Sequence, residues 1–145
     1  DPPWRCDELK PYPVIRVVRL EKPSIDPDRL ATARQWIDAA AACGCPPAMA
    51  LLDAGVSRGV NAGELGGTGQ TVDWEAVADA PILQVPITLA GGLTPDNVTA
   101  AIQTTHAVAV DTASGVESSP GRKDSNLVGR FVDAAKRALS ERTEN

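Results

Sequence analysis

Residues 86–97 read Pro-Ile-Thr-Leu-Ala-Gly-Gly-Leu-Thr-Pro-Asp-Asn, and this stretch decides the fold. Its apolar first part predicts a buried strand, Gly91 and Gly92 predict a tight turn, and Thr94 followed by Pro95 is typical of a helix start. Glycines let a ligand approach the backbone closely, and a helix N-terminus attracts anions through its unpaired N–H groups. The stretch is therefore a candidate phosphate-binding turn, or else only a tight connection between a strand and a helix.

Apolar runs predict further strands on both sides of this stretch, and helical patterns separate them. No linker or change of composition divides the chain, so residues 1–145 are predicted to form one α/β domain. Strands that are apolar throughout are typical of a parallel sheet covered on both faces. The predicted strands are 14–18, 48–52, 85–90 and 107–110, and the predicted helix caps are Asp26, Asp73, Thr94 and Asp124.

Composition restricts the functions open to this chain. Hydrophobic residues make up 43% of it but only five residues are aromatic, so the core must be aliphatic. The net charge is −5 and no Lys/Arg cluster stands out, so no nucleic-acid partner is expected. No apolar run approaches the roughly 18 residues that cross a membrane, and residues 1–8 do not resemble a signal peptide, so a cytoplasmic protein is expected. Three cysteines and one histidine predict neither a disulfide framework nor a metal site.

Two carboxylates flank the Gly-Gly turn in the predicted sheet. Asp53 and Asp111 each end a predicted strand, one on either side of the strand that leads into the turn. Right-handed crossovers place the carboxyl ends of parallel strands on one rim, where α/β proteins bind ligands. At about 4.8 Å per strand the aspartates lie roughly 10 Å apart, which suits one small molecule between them. Cys43, Cys45 and His106 precede strands and are expected on the opposite rim.

Several motifs, in the order in which they occur, resemble phosphoribosylanthranilate isomerase, a (βα)8-barrel enzyme of tryptophan biosynthesis. Leu-Leu-Asp at 51–53 is similar to the family's sixth strand, and Gly-Gly-Thr-Gly-Gln-Thr-Val-Asp-Trp at 66–74 to its glycine-rich loop. Leu-Ala-Gly-Gly-Leu-Thr-Pro-Asp-Asn-Val at 89–98 resembles the seventh strand and the helix after it. Val-Asp-Thr-Ala-Ser-Gly-Val-Glu and Pro-Gly-Arg-Lys-Asp, both within 110–124, resemble the eighth. Residues 13–20 fit strand five, so the resemblance covers nearly the whole chain.

The resemblance implies an Amadori rearrangement of N-(5-phosphoribosyl)anthranilate to the corresponding 1-deoxyribulose phosphate, with no cofactor and no metal. By similarity, Asp53 is the general acid that protonates the sugar ring oxygen, and Asp111 contacts the anthranilate amino group. Backbone N–H groups would hold the phosphate, helped by a helix following Val116. The implied phosphate-binding residues are Gly91, Gly92, Ala113, Ser114 and Gly115, with alanine at 113 where the family commonly has serine.

The resemblance accounts for only strands five to eight of the barrel. A (βα)8 barrel usually needs about 200–250 residues, and the family's general base, a cysteine on strand one, has no counterpart here. The chain is therefore expected to be the C-terminal half of the barrel, a parallel half-barrel of four βα units, inactive alone because the N-terminal half is absent. Unpaired sheet edges and an uncovered apolar interior predict pairing with that half or self-association.

Other functions are compatible with the same residues. The half-barrel could bind a phosphorylated ligand without catalysis, or it could be a truncated gene product with no function. Indole-glycerol-phosphate synthase, another phosphosugar barrel, would need catalytic Lys and Glu residues at strand ends, which this chain does not show.

Overall fold

The computed structural model describes residues 8–9, 12–20, 30–53, 74–78 and 83–143. The glycine-rich motif at 66–74, except Trp74, and the predicted caps Asp26 and Asp73 lie outside these residues. No helix in the described part of the chain is both long enough and apolar enough to cross a membrane. The elements are β1 (Ile15–Arg19), α1 (Ala31–Ala42), β2 (Met49–Asp53), α2 (Glu75–Ala78), β3 (Ile87–Ala90), α3 (Val98–Thr105), β4 (Ala109–Val110), β5 (Glu117–Ser119), β6 (Arg122–Lys123) and α4 (Ser125–Thr143).

Strands β1 to β4 form one parallel sheet in the order β1-β2-β3-β4. This confirms the predicted α/β fold with a parallel sheet. Arg19 pairs in register with Asp53, and Asp53 pairs with Ala90, so the carboxyl ends of the first three strands lie side by side. Within the described residues, β1 and β4 each pair with a neighbour on one side only.

The two faces of this sheet are packed differently. One face carries the fully buried side chains of Leu52 and Leu89 and forms the core with α1, α3 and α4. The other, here called the open face, carries Ile15 and Val17 of β1, which are 56% and 57% exposed. Their register partners Met49 and Leu51 share that face, because paired residues of a parallel sheet point the same way. The expectation that both faces are covered is therefore wrong at β1.

Helix α1 ends at a glycine, and the predicted cap of α4, Asp124, is confirmed. Gly44 follows the last turn of α1 with φ of 74°, the left-handed conformation that commonly ends a helix. Asp124 begins α4, because its Oδ1 accepts hydrogen bonds from the N–H groups of Asn126 and Leu127 at 2.9 and 3.1 Å. The buried side of α4 consists of Phe131, Ala135 and Ala138.

Helix α3 begins at Val98, three residues after the predicted Pro95. The N–H of Val98 nevertheless donates to the carbonyl of Thr94 at 3.1 Å, and the N–H of Thr94 donates to Asn97 Oδ1 at 2.7 Å. In a capping box, the side chain of the third helical residue accepts a hydrogen bond from the backbone N–H of the N-cap residue. Asn97 makes this bond to Thr94, in the place usually taken by Glu or Gln. The predicted helix start is thus present as a turn that leads into the regular helix.

The segment from 112 to 123 contains a turn and a hairpin, although no element was predicted between the strand that ends at 110 and the cap Asp124. Ser114–Val116 form a 3-10 turn, and β5 and β6 form a short antiparallel hairpin. The helix expected to follow Val116 begins only at Ser125, because the chain first enters β5 at Glu117. Gly121 supplies the positive φ of 79° that the hairpin turn needs.

Candidate functional site

Asp53 and Asp111 flank β3 at the rim formed by the carboxyl ends of the strands. Asp53 pairs with Ala90, the last residue of β3, and the N–H of Asp111 donates to the carbonyl of Leu89 at 2.8 Å. Both aspartates therefore lie level with the end of β3, and both belong to the open face. The predicted placement of two carboxylates around the strand that enters the Gly-Gly turn is confirmed.

Among the described residues, Arg19 is a charged neighbour of Asp53 that the sequence did not indicate. Arg19 Nε lies 3.5 Å from Asp53 Oδ2, and the two side chains are 77% and 25% exposed. The contact follows from the register of β1 and β2, which was not fixed by the sequence pattern. Because Arg19 is mostly exposed to solvent, this ion pair is expected to contribute little to stability.

The Gly-Gly turn connects β3 to α3. Gly91 and Gly92 have φ of 93° and 64°, a backbone conformation that residues with a Cβ rarely adopt. Asn97, the residue before α3, holds the turn, because its Nδ2 donates to the carbonyl of Gly92 at 3.0 Å. The turn thus depends on the positive φ of its glycines and on the side chain of Asn97, which the sequence pattern did not indicate as part of the site.

A second turn, at residues 112–115, lies directly against the first. Thr112 Oγ1 donates to the carbonyl of Leu93 at 2.6 Å. Gly115 comes so close that a Cβ added there would lie 1.7 Å from the oxygen of Leu93 and 2.9 Å from Thr112 Oγ1. The structure therefore brings together the two turns that were predicted to carry the phosphate-binding residues. In the second turn, Ala113 and Ser114 are exposed.

The β5–β6 hairpin supports the second turn. Lys123 Nζ donates to the carbonyl of Ala113 at 2.7 Å and to Glu117 Oε1 at 2.7 Å. Glu117 Oε2 in turn accepts a hydrogen bond from the N–H of Gly121 at 3.0 Å. The bond from Lys123, followed by the bond from Gly121 and the positive charge of Lys123, holds the pKa of the Glu117 carboxyl below its ordinary value of 4.5.

This lowered pKa predicts a loss of stability in acid that depends on Glu117. A carboxyl whose folded-state pKa is depressed stabilises the fold fully above its unfolded value of 4.5, and this contribution disappears as the pH falls through the folded-state pKa. Between about pH 6 and about pH 3, the wild type should lose more unfolding free energy than Glu117→Gln, by urea denaturation at each pH. Equal losses in the two proteins would mean that the Lys123–Glu117 contact contributes nothing in solution.

The opposite rim holds Cys43, Cys45 and His106, as predicted. Cys43 and Cys45 follow α1, and His106 ends α3 in the left-handed conformation with φ of 55°. All three therefore precede strands, away from Asp53 and Asp111. In the ranges that the structure describes, no three His, Cys, Asp or Glu side chains form a group that could hold a metal ion.

Comparison of the sequence with known proteins gives one consistent family. The model of the family described as N-(5'phosphoribosyl)anthranilate (PRA) isomerase matches residues 28–134. The N-(5'-phosphoribosyl)anthranilate isomerase of Haloarcula marismortui is 56% identical over 87 residues, which are 59% of this chain and 41% of the relative. The chain thus spans about two fifths of the length of such curated relatives.

Solved structures give the same family. Phosphoribosyl anthranilate isomerase from Thermotoga maritima has a TM-score of 0.67 and 29% identity, with 94% of this chain and 58% of that chain covered. A phosphoribosyl anthranilate isomerase solved in complex with reduced 1-(o-carboxyphenylamino)-1-deoxyribulose 5-phosphate has a TM-score of 0.67 and 25% identity, with 94% and 56% covered. These neighbours are TIM-barrel proteins.

Proposed function

Because this chain belongs to the N-(5'-phosphoribosyl)anthranilate isomerase family, we propose that it forms the phosphate- and acid-bearing part of such an isomerase. The reaction would be the Amadori rearrangement of N-(5-phosphoribosyl)anthranilate in tryptophan biosynthesis, a pathway that fits the cytoplasmic location expected from the sequence. One observation carries the proposal. The two glycine-containing turns touch through Leu93, at the same rim on which Asp53 and Asp111 flank β3.

The reaction needs a general acid, a general base and groups that bind the phosphate and the amino group of the substrate. We assign the acid to Asp53, which would donate a proton to the sugar ring oxygen so that the ring opens. Asp111, exposed at the same level, would accept a hydrogen bond from the anthranilate amino group. The phosphate would bind the backbone N–H groups of Gly91, Gly92, Ala113, Ser114 and Gly115, which are fixed donors with no counter-charge.

The base that removes the proton from the sugar C2 has no candidate on this rim among the described residues. In the family it is a cysteine on strand one, whereas Cys43 and Cys45 lie on the opposite rim. We therefore propose that residues 1–145 are a single domain that corresponds to the C-terminal half of the barrel, four βα units. Activity would then require a partner segment that carries the base.

The exposed apolar side chains of the open face favour a partner segment with an apolar surface. Ile15 and Val17 are more than half exposed there, and β1 and β4 offer unpaired backbone edges within the described sheet. Apolar side chains beside unpaired strand edges favour a partner that continues the sheet. We propose that the N-terminal half of the barrel covers this face, and that self-association through the same edges occurs when that half is missing.

Complementation tests the proposal. The chain co-expressed with the N-terminal half of a relative, such as the Haloarcula marismortui isomerase, should rescue growth of a tryptophan auxotroph that lacks the enzyme, and neither half should rescue alone. Val17→Lys, which places a charge on the open face, should impair rescue. Val128→Lys makes the same change on the outer side of α4, where Val128 is 37% exposed, and should not. Failure of the pair, with both halves folded and soluble, would contradict the proposal.

A second candidate function is phosphate-ligand binding without catalysis. It is favoured by the fact that both turns form within this chain and hold each other. Calorimetry with ribose 5-phosphate distinguishes it: binding without rescue would support a binding module. A folded chain that neither binds nor rescues would instead be a truncated product without function.

A further inference from the structure

Three backbone carbonyls in or next to the two turns accept hydrogen bonds from side chains. None of the donor residues is among those proposed to bind the phosphate. Asn97 Nδ2 binds the carbonyl of Gly92 at 3.0 Å, and Thr112 Oγ1 binds that of Leu93 at 2.6 Å. Lys123 Nζ binds the carbonyl of Ala113 at 2.7 Å. An anion is attracted by N–H groups and repelled by carbonyl oxygens, so a turn that binds phosphate must keep its carbonyls pointed elsewhere.

The planar trans peptide explains what these contacts do. The C=O and the N–H of one peptide unit point in opposite directions, so a donor that holds the carbonyl also aims the N–H of the next residue. The peptide between Ala113 and Ser114 is held in this way by Lys123 at 2.7 Å, and the same carbonyl accepts a longer bond of 3.5 Å from the N–H of Val116. The N–H of Ser114 therefore points away from Lys123, and Ser114 itself is exposed at the rim.

The charge of Lys123 is already paired. Glu117 Oε1 lies 2.7 Å from the ammonium group, and Glu117 is itself fixed by the N–H of Gly121 at 3.0 Å. Glu117 and Lys123 are register partners in the β5–β6 hairpin, so the hairpin sets the position of the ammonium group. A hydrogen bond from a charged donor is stronger than one between neutral groups, so the ammonium group is well suited to hold the carbonyl of Ala113.

We propose that Lys123 is a positioning residue for phosphate binding: by holding the carbonyl of Ala113, it aims the N–H of Ser114 at the phosphate. This inference rests on the proposed function, because it assumes that the two turns hold a phosphate. Its direct partners are the carbonyl and Glu117, so Lys123 acts on the ligand through the backbone.

The test is a titration of the 145-residue chain with ribose 5-phosphate, followed by calorimetry and by the amide shift of Ser114 in NMR spectra. Lys123→Met should weaken binding about tenfold, the order expected for one charge-assisted hydrogen bond. Lys123→Arg, which keeps a charged donor, should restore part of the affinity. Arg122→Met is the matched control: it removes the same charge one residue away, from a side chain with no described contact to Ala113, and should change affinity less than twofold.

Each outcome decides one question. Equal affinity of wild type and Lys123→Met, with both proteins folded by circular dichroism, would overturn the positioning role. Equal weakening by Arg122→Met and Lys123→Met would overturn it as well, because net charge would then be the cause. If the folded wild type does not bind ribose 5-phosphate, the proposed phosphate site itself is wrong, and the inference falls with it.

Discussion

Gly115→Ala is expected to abolish phosphate binding and to destabilise the chain. A Cβ at this position would lie 1.7 Å from the oxygen of Leu93 and 2.8 Å from its carbonyl carbon. Both are backbone atoms, so a side-chain rotation cannot relieve the clash, and the two turns must separate. Overpacking usually costs about 1–3 kcal/mol of unfolding free energy, and we expect a loss at the upper end of this range. Urea denaturation and calorimetry with ribose 5-phosphate measure the two effects.

Gly129→Ala is the matched control. Nothing lies within 4 Å of a Cβ built on Gly129, which is inside α4 and away from the rim. Alanine is the better helix former, so this variant should be more stable than wild type by about 0.5–1 kcal/mol and should bind phosphate normally. Wild-type stability and affinity in Gly115→Ala would show that the turns are not packed against each other in solution.

Asp53→Asn is expected to remove most of the isomerase activity of the complemented enzyme. The amide has nearly the same shape as the carboxyl group but cannot donate a proton to the ring oxygen. General acids typically contribute about 10²- to 10⁴-fold to a rate, so kcat should fall by that order while KM changes little. Asp53 is 25% exposed and its contact with Arg19 is long, so an effect of only about 0–1 kcal/mol on stability is expected.

Two companion variants separate the role of Asp53 from that of its neighbours. Arg19→Gln removes the ion pair but keeps the acid, so it should retain most of the activity. Asp111→Asn keeps an oxygen that accepts from an amino group, and it should raise KM more than it lowers kcat. Rescue of the auxotroph at the wild-type rate by Asp53→Asn would end the assignment of Asp53 as the general acid.

The sequence predicted correctly those features that depend on buried apolar runs or on a backbone conformation that only certain residues adopt. The apolar runs ending at Asp53 and Asp111 form strands, and parallel order then places both carboxylates at one rim. Gly91 and Gly92 mark a positive-φ turn because few other residues tolerate that conformation. The roles of these residues in catalysis and binding remain predictions that rest on the family.

Other features left no usable pattern in the sequence. The β5–β6 hairpin consists of polar, mostly exposed residues, so hydropathy does not distinguish it from a loop. Ile15 and Val17 look like core residues by hydropathy. The half-barrel resemblance predicted an uncovered interior, but only the register of the paired sheet shows that these two side chains lie on it. The contact of Thr112 with Leu93 depends on the distance between two loops. The contact of Asn97 with the Gly-Gly turn is local, but it is one of many local contacts that a short polar side chain can make.

The consecutive strand order also has a consequence for how the chain assembles. Thr88 and its partner Ala109 are 21 residues apart in the chain, whereas Ala50 and Ile87 are 37 apart. The entropy lost on closing a loop grows with the logarithm of its length, so the longer closure costs about 0.5 kcal/mol more. We therefore expect β3 and β4 to pair first during refolding, and the two turns that follow them to become ordered before the rest of the sheet.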